Sequence, residues 1–384
     1  MTESSSPPGI PSPARLAAWL NDHVPGGPVE LTDIQLIAGG RSNLTYRLTV
    51  QGPGPGPGAA PGTGAAPGTE AEGTRLLVLR RPPLGHVLPT AHDMSREFRV
   101  LSALAGTRVP VAPLVASCTD VEVIGAPFYV MEYVPGVVLR TRNDTKDLTK
   151  AQAANLSRRL AEMLAAIHGV DVNQVGLGDL GRGAGYLRRQ LDRWQRQWEL
   201  SVTEERPGYT QLVERLTAAL PAETEGQTTL VHGDYRLDNA LVTLNPEPRI
   251  TAVVDWEMAT LGDPLADLGL TLVYWTEDGE EGWLTPAGSP AGTRGVTADA
   301  TASPGFWTRA EFAAEYARLT GRDVSRIGYY VAFGYFKLAV VLEGIHARYQ
   351  QGKTVGEGFE QEGFAVPLLI ARAHEVLNGE PKST

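Results

Sequence analysis

The stretch from Leu230 to Gly269, LVHGDYRLDNALVTLNPEPRITAVVDWEMATLGDPLADLG, constrains this chain more than any other. An apolar entry, Leu230 and Val231, leads into the polar loop His232 to Asn239, and Ala240 to Leu244 reads as a strand leaving it. A second strand-like run, Ile250 to Val254, ends on Asp255. Two strand ends therefore present three polar groups, Asp234, Asn239 and Asp255.

That trio suits phosphoryl transfer. The charge of such a transition state is spread over oxygens, so a protein mainly has to hold metal, nucleotide and acceptor hydroxyl in line. Magnesium prefers carboxylate and amide oxygens together with phosphate, which Asp255 and Asn239 supply. Asp234 is then left to orient an attacking alcohol and accept its proton. The order D-x-x-x-x-N, then strand, then Asp follows protein-kinase catalytic logic.

HGDYRLDN and VVDWEMATLGDPLADLG resemble the catalytic segment of the aminoglycoside phosphotransferase and choline kinase superfamily. His-Gly-Asp stands where protein kinases have His-Arg-Asp, and Asp-Trp-Glu stands at the metal-binding Asp-Phe-Gly. YLRRQLDRWQRQW (Tyr186 to Trp198) and GYYVAFGYFKLAVVLEGIHARYQQG narrow the likeness to the kinase-like domain fused to certain acyl-CoA dehydrogenases and its free-standing bacterial relatives. The resemblance implies an α+β, two-lobed protein-kinase-like fold, with a small antiparallel-sheet N-lobe and a mostly helical C-lobe. It also implies ATP and Mg2+, and a small-molecule hydroxyl as acceptor, such as a hydroxyacyl compound or its CoA thioester. An aminoglycoside or choline-type acceptor is the alternative within the superfamily. A nucleotide-binding module without catalysis is the alternative outside it, though both aspartates it would lose are present.

Residues 1–30 read as a disordered Ser/Pro-rich N-terminus, residues 1–13, followed by a short helix with Leu16, Trp19 and Leu20 as its stripe. The nucleotide-binding N-lobe is expected over residues 31–132. Leu31 to Val50 alternates as two strands joined at Gly39, Gly40, Arg41, Ser42 and Asn43, with Leu44, Tyr46, Leu48 and Val50 on one face. That tip fits either a plain turn or a loop covering the phosphates, where glycine lets the backbone approach closely. Residues 52–73 are a low-complexity Gly/Pro/Ala insertion that cannot bury a core. The third strand, RLLVLR, ends on Arg80, at the position of the kinase phosphate-binding lysine. Arginine keeps the charge but changes the geometry. The likeness pairs Arg80 with Glu97 on the next helix, whose apolar stripe is Phe98, Leu101 and Leu104, and it points Arg81 to the opposite face. Glu132, Tyr133 and Val134 resemble the hinge whose backbone meets the adenine edge.

The catalytic and acceptor-binding C-lobe is expected over residues 133–384. Leu156, Leu160, Met163, Leu164 and Ile167 follow helical spacing, and His168, like His232, reads as a structural brace. Leu187, Leu191, Trp194 and Trp198 form another apolar stripe, with Arg189, Arg193 and Arg196 on a second face. Those arginines fit either a solvated basic face or a wall of the acceptor site that attracts carboxylate or phosphate. Asp263 with Pro264 reads as a helix start, and Asp267 as a brace of the catalytic loop. Glu277 to Phe306 reads as a long loop, and Ile327 to Ile345 as a buried apolar helix.

Composition sets outer bounds. With 384 residues, 42% of them hydrophobic, the chain is long enough for one two-lobed domain. No apolar run reaches the ~18–20 residues of a membrane span, so no membrane partner is expected. The start MTESSSPPGIPSP lacks the pattern of a secretory signal. One cysteine, Cys118, excludes an internal disulfide and fits a cytoplasmic setting. A net charge of -10 argues against nucleic acid as partner. Neither a His/Cys zinc pattern nor a G-x-x-x-x-G-K-[ST] loop competes with the reading above.

Overall fold

The computed structural model describes residues 7–37, 43–52, 73–84, 93–222, 228–280, 298–352 and 362–379. The chain divides into two compact units, one of Met1–Gly136 with Thr251–Glu257, the other of Val137–Ile250 with Met258–Thr384. The phosphate-loop positions Gly39, Gly40, Arg41 and Ser42 and nearly all of the insertion lie outside the described residues.

The first unit is built on a five-stranded antiparallel sheet in the order β1-β2-β3-β5-β4. Its elements in chain order are α1 (Pro13–His23), β1 (Glu30–Leu36), β2 (Leu44–Gln51), β3 (Thr74–Arg81), α2 (Met94–Leu104), β4 (Leu114–Cys118), α3 (Val121–Ile124) and β5 (Phe128–Glu132). Period-two alternation sends Tyr46, Leu48 and Val50 of β2, Leu77 and Leu79 of β3 and Phe128 and Val130 of β5 into one core with Leu16 and Leu20 of α1. The same alternation puts Arg80 and Arg81 on opposite faces. Arg81 is buried and its guanidinium donates to the carbonyls of Gly9 and Ile124.

That contact corrects the expectation of disorder over residues 7–13. Ile10 is fully buried in the same core, and the Tyr46 hydroxyl donates to the Pro8 carbonyl. A Ser/Pro-rich segment has few donors of its own, but its carbonyls find them here. On α2 the buried positions are Met94, Glu97, Val100, Leu101 and Leu104. Phe98, expected on that stripe, is half-buried and meets the Tyr129 ring edge-on at 6.1 Å.

The second unit is mostly helical. Its elements are α4 (Arg142–Thr145), α5 (Lys150–His168), α6 (Tyr186–Ser201), α7 (Tyr209–Ala218), β6 (Thr229–Val231), β7 (Ala240–Thr243), β8 (Arg249–Val253), β9 (Thr260–Gly262), α8 (Pro264–Tyr274), α9 (Arg309–Thr320), α10 (Ile327–Gln350) and α11 (Glu362–Gly379), the unit boundary falling within β8. Strands β6 and β9 pair antiparallel, Leu230 opposite Leu261, which brings the two ends of the catalytic segment together.

Helix α10 is the one helix among the described residues long and apolar enough to cross a membrane, and 78% of its most apolar window is buried inside the protein. It packs on α8, α11 and α6. Burial extends well beyond a single stripe, from Tyr329 to Phe336 without a break. The close approach of α8 depends on Gly269, where a Cβ would lie 2.5 Å from the Tyr330 carbonyl group.

Candidate active site

In the first unit Arg80 is the centre of a buried charge cluster. Its Nε donates to Glu97 at 3.0 Å and its Nη2 to Asp255. Burial would lower the guanidinium pKa, but Glu97 and Asp255 raise it above its ordinary value. Glu97 is only 2% exposed, and burial pushes its carboxyl up to about 7, with Arg80 pulling down and Asp255 and Glu257 pushing up. Asp255 itself sits at φ +68°, a backbone conformation costly for a residue with a side chain. It follows a strand anchored by Val253 N–H on the Pro110 carbonyl, and the Trp256 indole donates back to the Val253 carbonyl at 2.9 Å.

Asn43, the described member of the phosphate-loop set, is buried, and its amide donates to Glu257 at 2.8 Å. Its side-chain oxygen is buried without a partner among the described residues. At the hinge the Glu132 N–H is spent on the Pro113 carbonyl and the Tyr133 N–H on the Leu76 carbonyl. The Glu132 carboxylate is bound by Arg75 at 2.6 Å. Glu132 and Tyr133 therefore have carbonyls, not N–H groups, to offer a nucleobase. The neighbouring Val134 is half-buried.

In the second unit the catalytic loop leaves β6 at His232. Gly233 has φ +83°, and a Cβ there would lie 2.7 Å from the Met258 carbonyl oxygen. An arginine, as in protein kinases, would not fit this turn. Asp267 on α8 accepts the N–H groups of His232 at 2.7 Å and Gly233 at 2.9 Å. His168, buried at the end of α5, bridges Asp267 at 3.2 Å and the Tyr316 hydroxyl at 2.7 Å. Burial would raise Asp267, yet the hydrogen bond and charge of His168, helped by His232, hold its carboxyl below the usual range. Asp263 caps α8 by accepting the Leu265 N–H, with Pro264 in the first turn. The side chains of His168, His232, Asp263 and Asp267 thus all bond within the fold.

Asp234 stands at the rim of this scaffold. The Asn239 side-chain amide donates to its carbonyl at 2.8 Å and to its carboxylate at 3.0 Å. With its N–H groups spent on Asp234, the Asn239 side chain has its amide oxygen left as an acceptor. Arg236 lies 3.0 Å from Asp238 and 3.6 Å from Asp234, with its guanidinium 4.6 Å above the Tyr274 ring. The Tyr274 hydroxyl is pushed well up by burial and by its hydrogen bond to Asp234.

Of the α6 arginines expected to share a face, Arg189 is spent on the Ala184 and Arg182 carbonyls. Arg193 lies 5.3 Å over the Trp194 ring, and Arg196 is exposed. Sequence reasoning passed over Lys337. Its Nζ donates to the Gly233 carbonyl at 2.7 Å and lies 5.6 Å over the Trp194 ring. The signal was present, because Lys337 is the single charged residue between Arg326 and Glu343.

Comparison with known proteins bears on the family and the fold. The model of the phosphotransferase enzyme family matches residues 33–291. Human acyl-CoA dehydrogenase family member 11 is 32% identical over 349 residues, 89% of this chain and 40% of that protein. The chain spans between 26% and 40% of the acyl-CoA dehydrogenase relatives it matches. A solved structure from Ralstonia eutropha, provisionally described as an aminoglycoside phosphotransferase, is 32% identical with a TM-score of 0.73, covering 96% of this chain and 98% of its own. The ternary complex of a thermostable aminoglycoside phosphotransferase APH(4)-Ia variant with ADP and hygromycin B shares the fold at 16% identity, with a TM-score of 0.54 over 92% of this chain and 96% of that one.

Proposed function

Because the chain belongs to the phosphotransferase enzyme family, we propose that it transfers the γ-phosphoryl group of ATP, with Mg2+, to a hydroxyl of a small molecule. The observation that carries this reading is Asp234 itself, a carboxylate held in orientation by Asn239 on a loop braced by Asp267. Asp234 accepts the proton of the acceptor hydroxyl as its oxygen bonds to the γ-phosphorus, and the bond from that phosphorus to the β-γ bridging oxygen breaks, releasing ADP.

The residues present fit the metal. Asn239 has an amide oxygen to offer, its N–H groups being spent on Asp234, and Asp255 has a carboxylate with one oxygen engaged by Arg80. Two hard oxygens completed by phosphate are what magnesium takes in such sites. When bound, the ion neutralises charge developing on the phosphate oxygens. Arg80, kept charged by Glu97, supplies a fixed cation for the α- and β-phosphates. Asn43 bonds Glu257; Gly39, Gly40, Arg41 and Ser42 with Asn43 are assigned to the phosphates, and Glu132, Tyr133 and Val134 to the adenine edge.

For the acceptor, the reading is a hydroxyacyl compound or its CoA thioester. Its support is the similarity to proteins named acyl-CoA dehydrogenases, in which a phosphorylating domain and a dehydrogenase would share one acyl substrate. The buried Cys118, unpaired, supports a reducing, cytoplasmic setting. An ADP-release screen over hydroxy acids, hydroxyacyl-CoAs, choline and aminoglycosides tests the proposal. Turnover of a hydroxyacyl compound above the others is expected. A magnesium-dependent thermal shift with ATP and no ADP release from any of them would instead leave a nucleotide-binding module.

A further inference from the structure

Lys337 is placed where a lysine is costly. It emerges from the apolar helix α10, is only partly exposed, and spends one of its three N–H groups on the Gly233 carbonyl, the residue before Asp234. No further acceptor for it occurs among the described residues. Beside it, Trp194 is 6% exposed, and its indole N–H is buried without an acceptor. It is one of several buried polar groups without a partner among the described residues, and the one that lies beside Lys337. Arg193 adds a second cation over the same ring at 5.3 Å. Two cations, one of them exposed, thus gather on Trp194 beside an orphan donor, and the lysine is bonded to the residue before Asp234.

We propose that Lys337, the Trp194 indole N–H and Arg193 form a subsite for an acidic oxygen group of the acceptor, a carboxylate or phosphate lying a few bonds from the hydroxyl that reacts at Asp234. The proposal rests on the phosphotransfer reading and sharpens it. An anion satisfies the indole donor and the spare ammonium N–H groups together, and it offsets the repulsion between the two cations. Burial and Arg193 lower the Lys337 pKa while Asp234 and Asp267 raise it, so an arriving anion would favour the charged ammonium. The same cations disfavour an amine-rich acceptor. The subsite therefore selects acidic alcohols over aminoglycosides and amino alcohols.

The test uses four matched probes, a terminal hydroxypentanoate, hydroxypentyl phosphate, the methyl ester of the first, and aminopentanol. The indole N–H resonance of Trp194, assigned by its loss in Trp194→Phe, is followed by NMR in the full chain. A shift on adding the hydroxycarboxylate or the phosphate ester is expected, with little change from the ester or the amine, and loss of the shift in Lys337→Met. Whichever acid shifts it at lower concentration identifies the source of the anion. An unmoved indole with both acids overturns the proposal.

Kinetics supply the second arm, on the best acceptor found. Lys337→Met should raise the KM of an acidic acceptor roughly tenfold or more, the loss expected for a charge-assisted hydrogen bond, with the KM for ATP unchanged and partial rescue by Lys337→Arg. An equal loss of kcat with the acid and with its uncharged ester would show that Lys337 only braces Gly233, which also overturns the proposal. Failure of the phosphotransfer reading looks different. ADP release would then be absent with every acceptor, while the indole shift, read without turnover, would remain.

Discussion

Asp234 owes its orientation to Asn239, and the turn beneath it owes its shape to Asp267 and Lys337. Asp234→Asn keeps the size of the group but removes the proton acceptor. Turnover should fall by about two to four powers of ten while ATP affinity measured by calorimetry stays nearly constant. Glu97 gives a different readout, pH. Burial raises its carboxyl from an ordinary value of about 4.5 to about 7 in the folded chain, so the folded state binds more protons than the unfolded one between those values. Its contribution to stability is full below about 4.5 and is lost as pH rises through about 7. Denaturant titrations of the parent and Glu97→Gln across pH 4 to 8 should therefore diverge, the parent losing up to about 3 kcal/mol relative to the variant. Parallel curves would place the Glu97 carboxyl near its ordinary range. Much at this scale was legible in the sequence. The Arg80–Glu97 pair follows from the kinase likeness with strand and helix in the right order, and Asp234 and Asn239 from their spacing. Lys337 was not, because a helical apolar period treats one lysine as an interruption, and only the fold brings it to Gly233.

Elements meet where glycine permits it. Helices α8 and α10 approach so closely at Gly269 that a methyl group would collide with the Tyr330 backbone. Gly269→Ala should cost about 1–3 kcal/mol through overpacking, whereas Gly379→Ala, at the end of α11 with nothing within 4 Å, should be neutral. Equal melting temperatures for the two would show that the helices slide apart freely. Gln51 pairs with Thr74, and the Gly52 N–H bonds the Gly73 carbonyl at 3.0 Å, so the strand ends are already adjacent. Replacing residues 52–73 by an Asn-Gly turn should preserve the fold, because closure entropy changes only logarithmically with loop length. A loss of more than about 10 °C in melting temperature would exceed what loop entropy explains. The Pro-rich segment before α1 was misread. Composition measures what a segment can bury, and Ile10 is one residue, but Arg81 and Tyr46 reach its neighbours' carbonyls from elements far along the chain.

At the scale of the molecule, residues brought together in sequence need not belong to one unit. Thr251–Glu257 joins the first unit although the segments on either side belong to the second, so a linear domain boundary drawn from composition misses it. That excursion carries Asp255 to Arg80, and it makes stability a direct probe of the metal. A ligand that binds only the folded chain stabilises it by about 2.7 kcal/mol at a hundred times its Kd. ATP with Mg2+ should accordingly raise the melting temperature by several degrees, and ATP with EDTA by much less, since phosphate alone faces the carboxylates of Asp255 and Glu257 without a cation between them. Asp255→Ala removes the proposed metal ligand, keeps a Cβ at φ +68°, and strands Arg80 beside Glu97. Its resting melting temperature reports the retained strain and the lost ion pair and does not bear on the metal. The increment on adding Mg2+ to ATP does, because strain and ion pair are present in both measurements and cancel. The expected outcome is an increment near zero for Asp255→Ala and a reduced one for Asn239→Ala. An increment equal to the parent's in Asp255→Ala would remove Asp255 from the metal site while leaving Asp234 as the base.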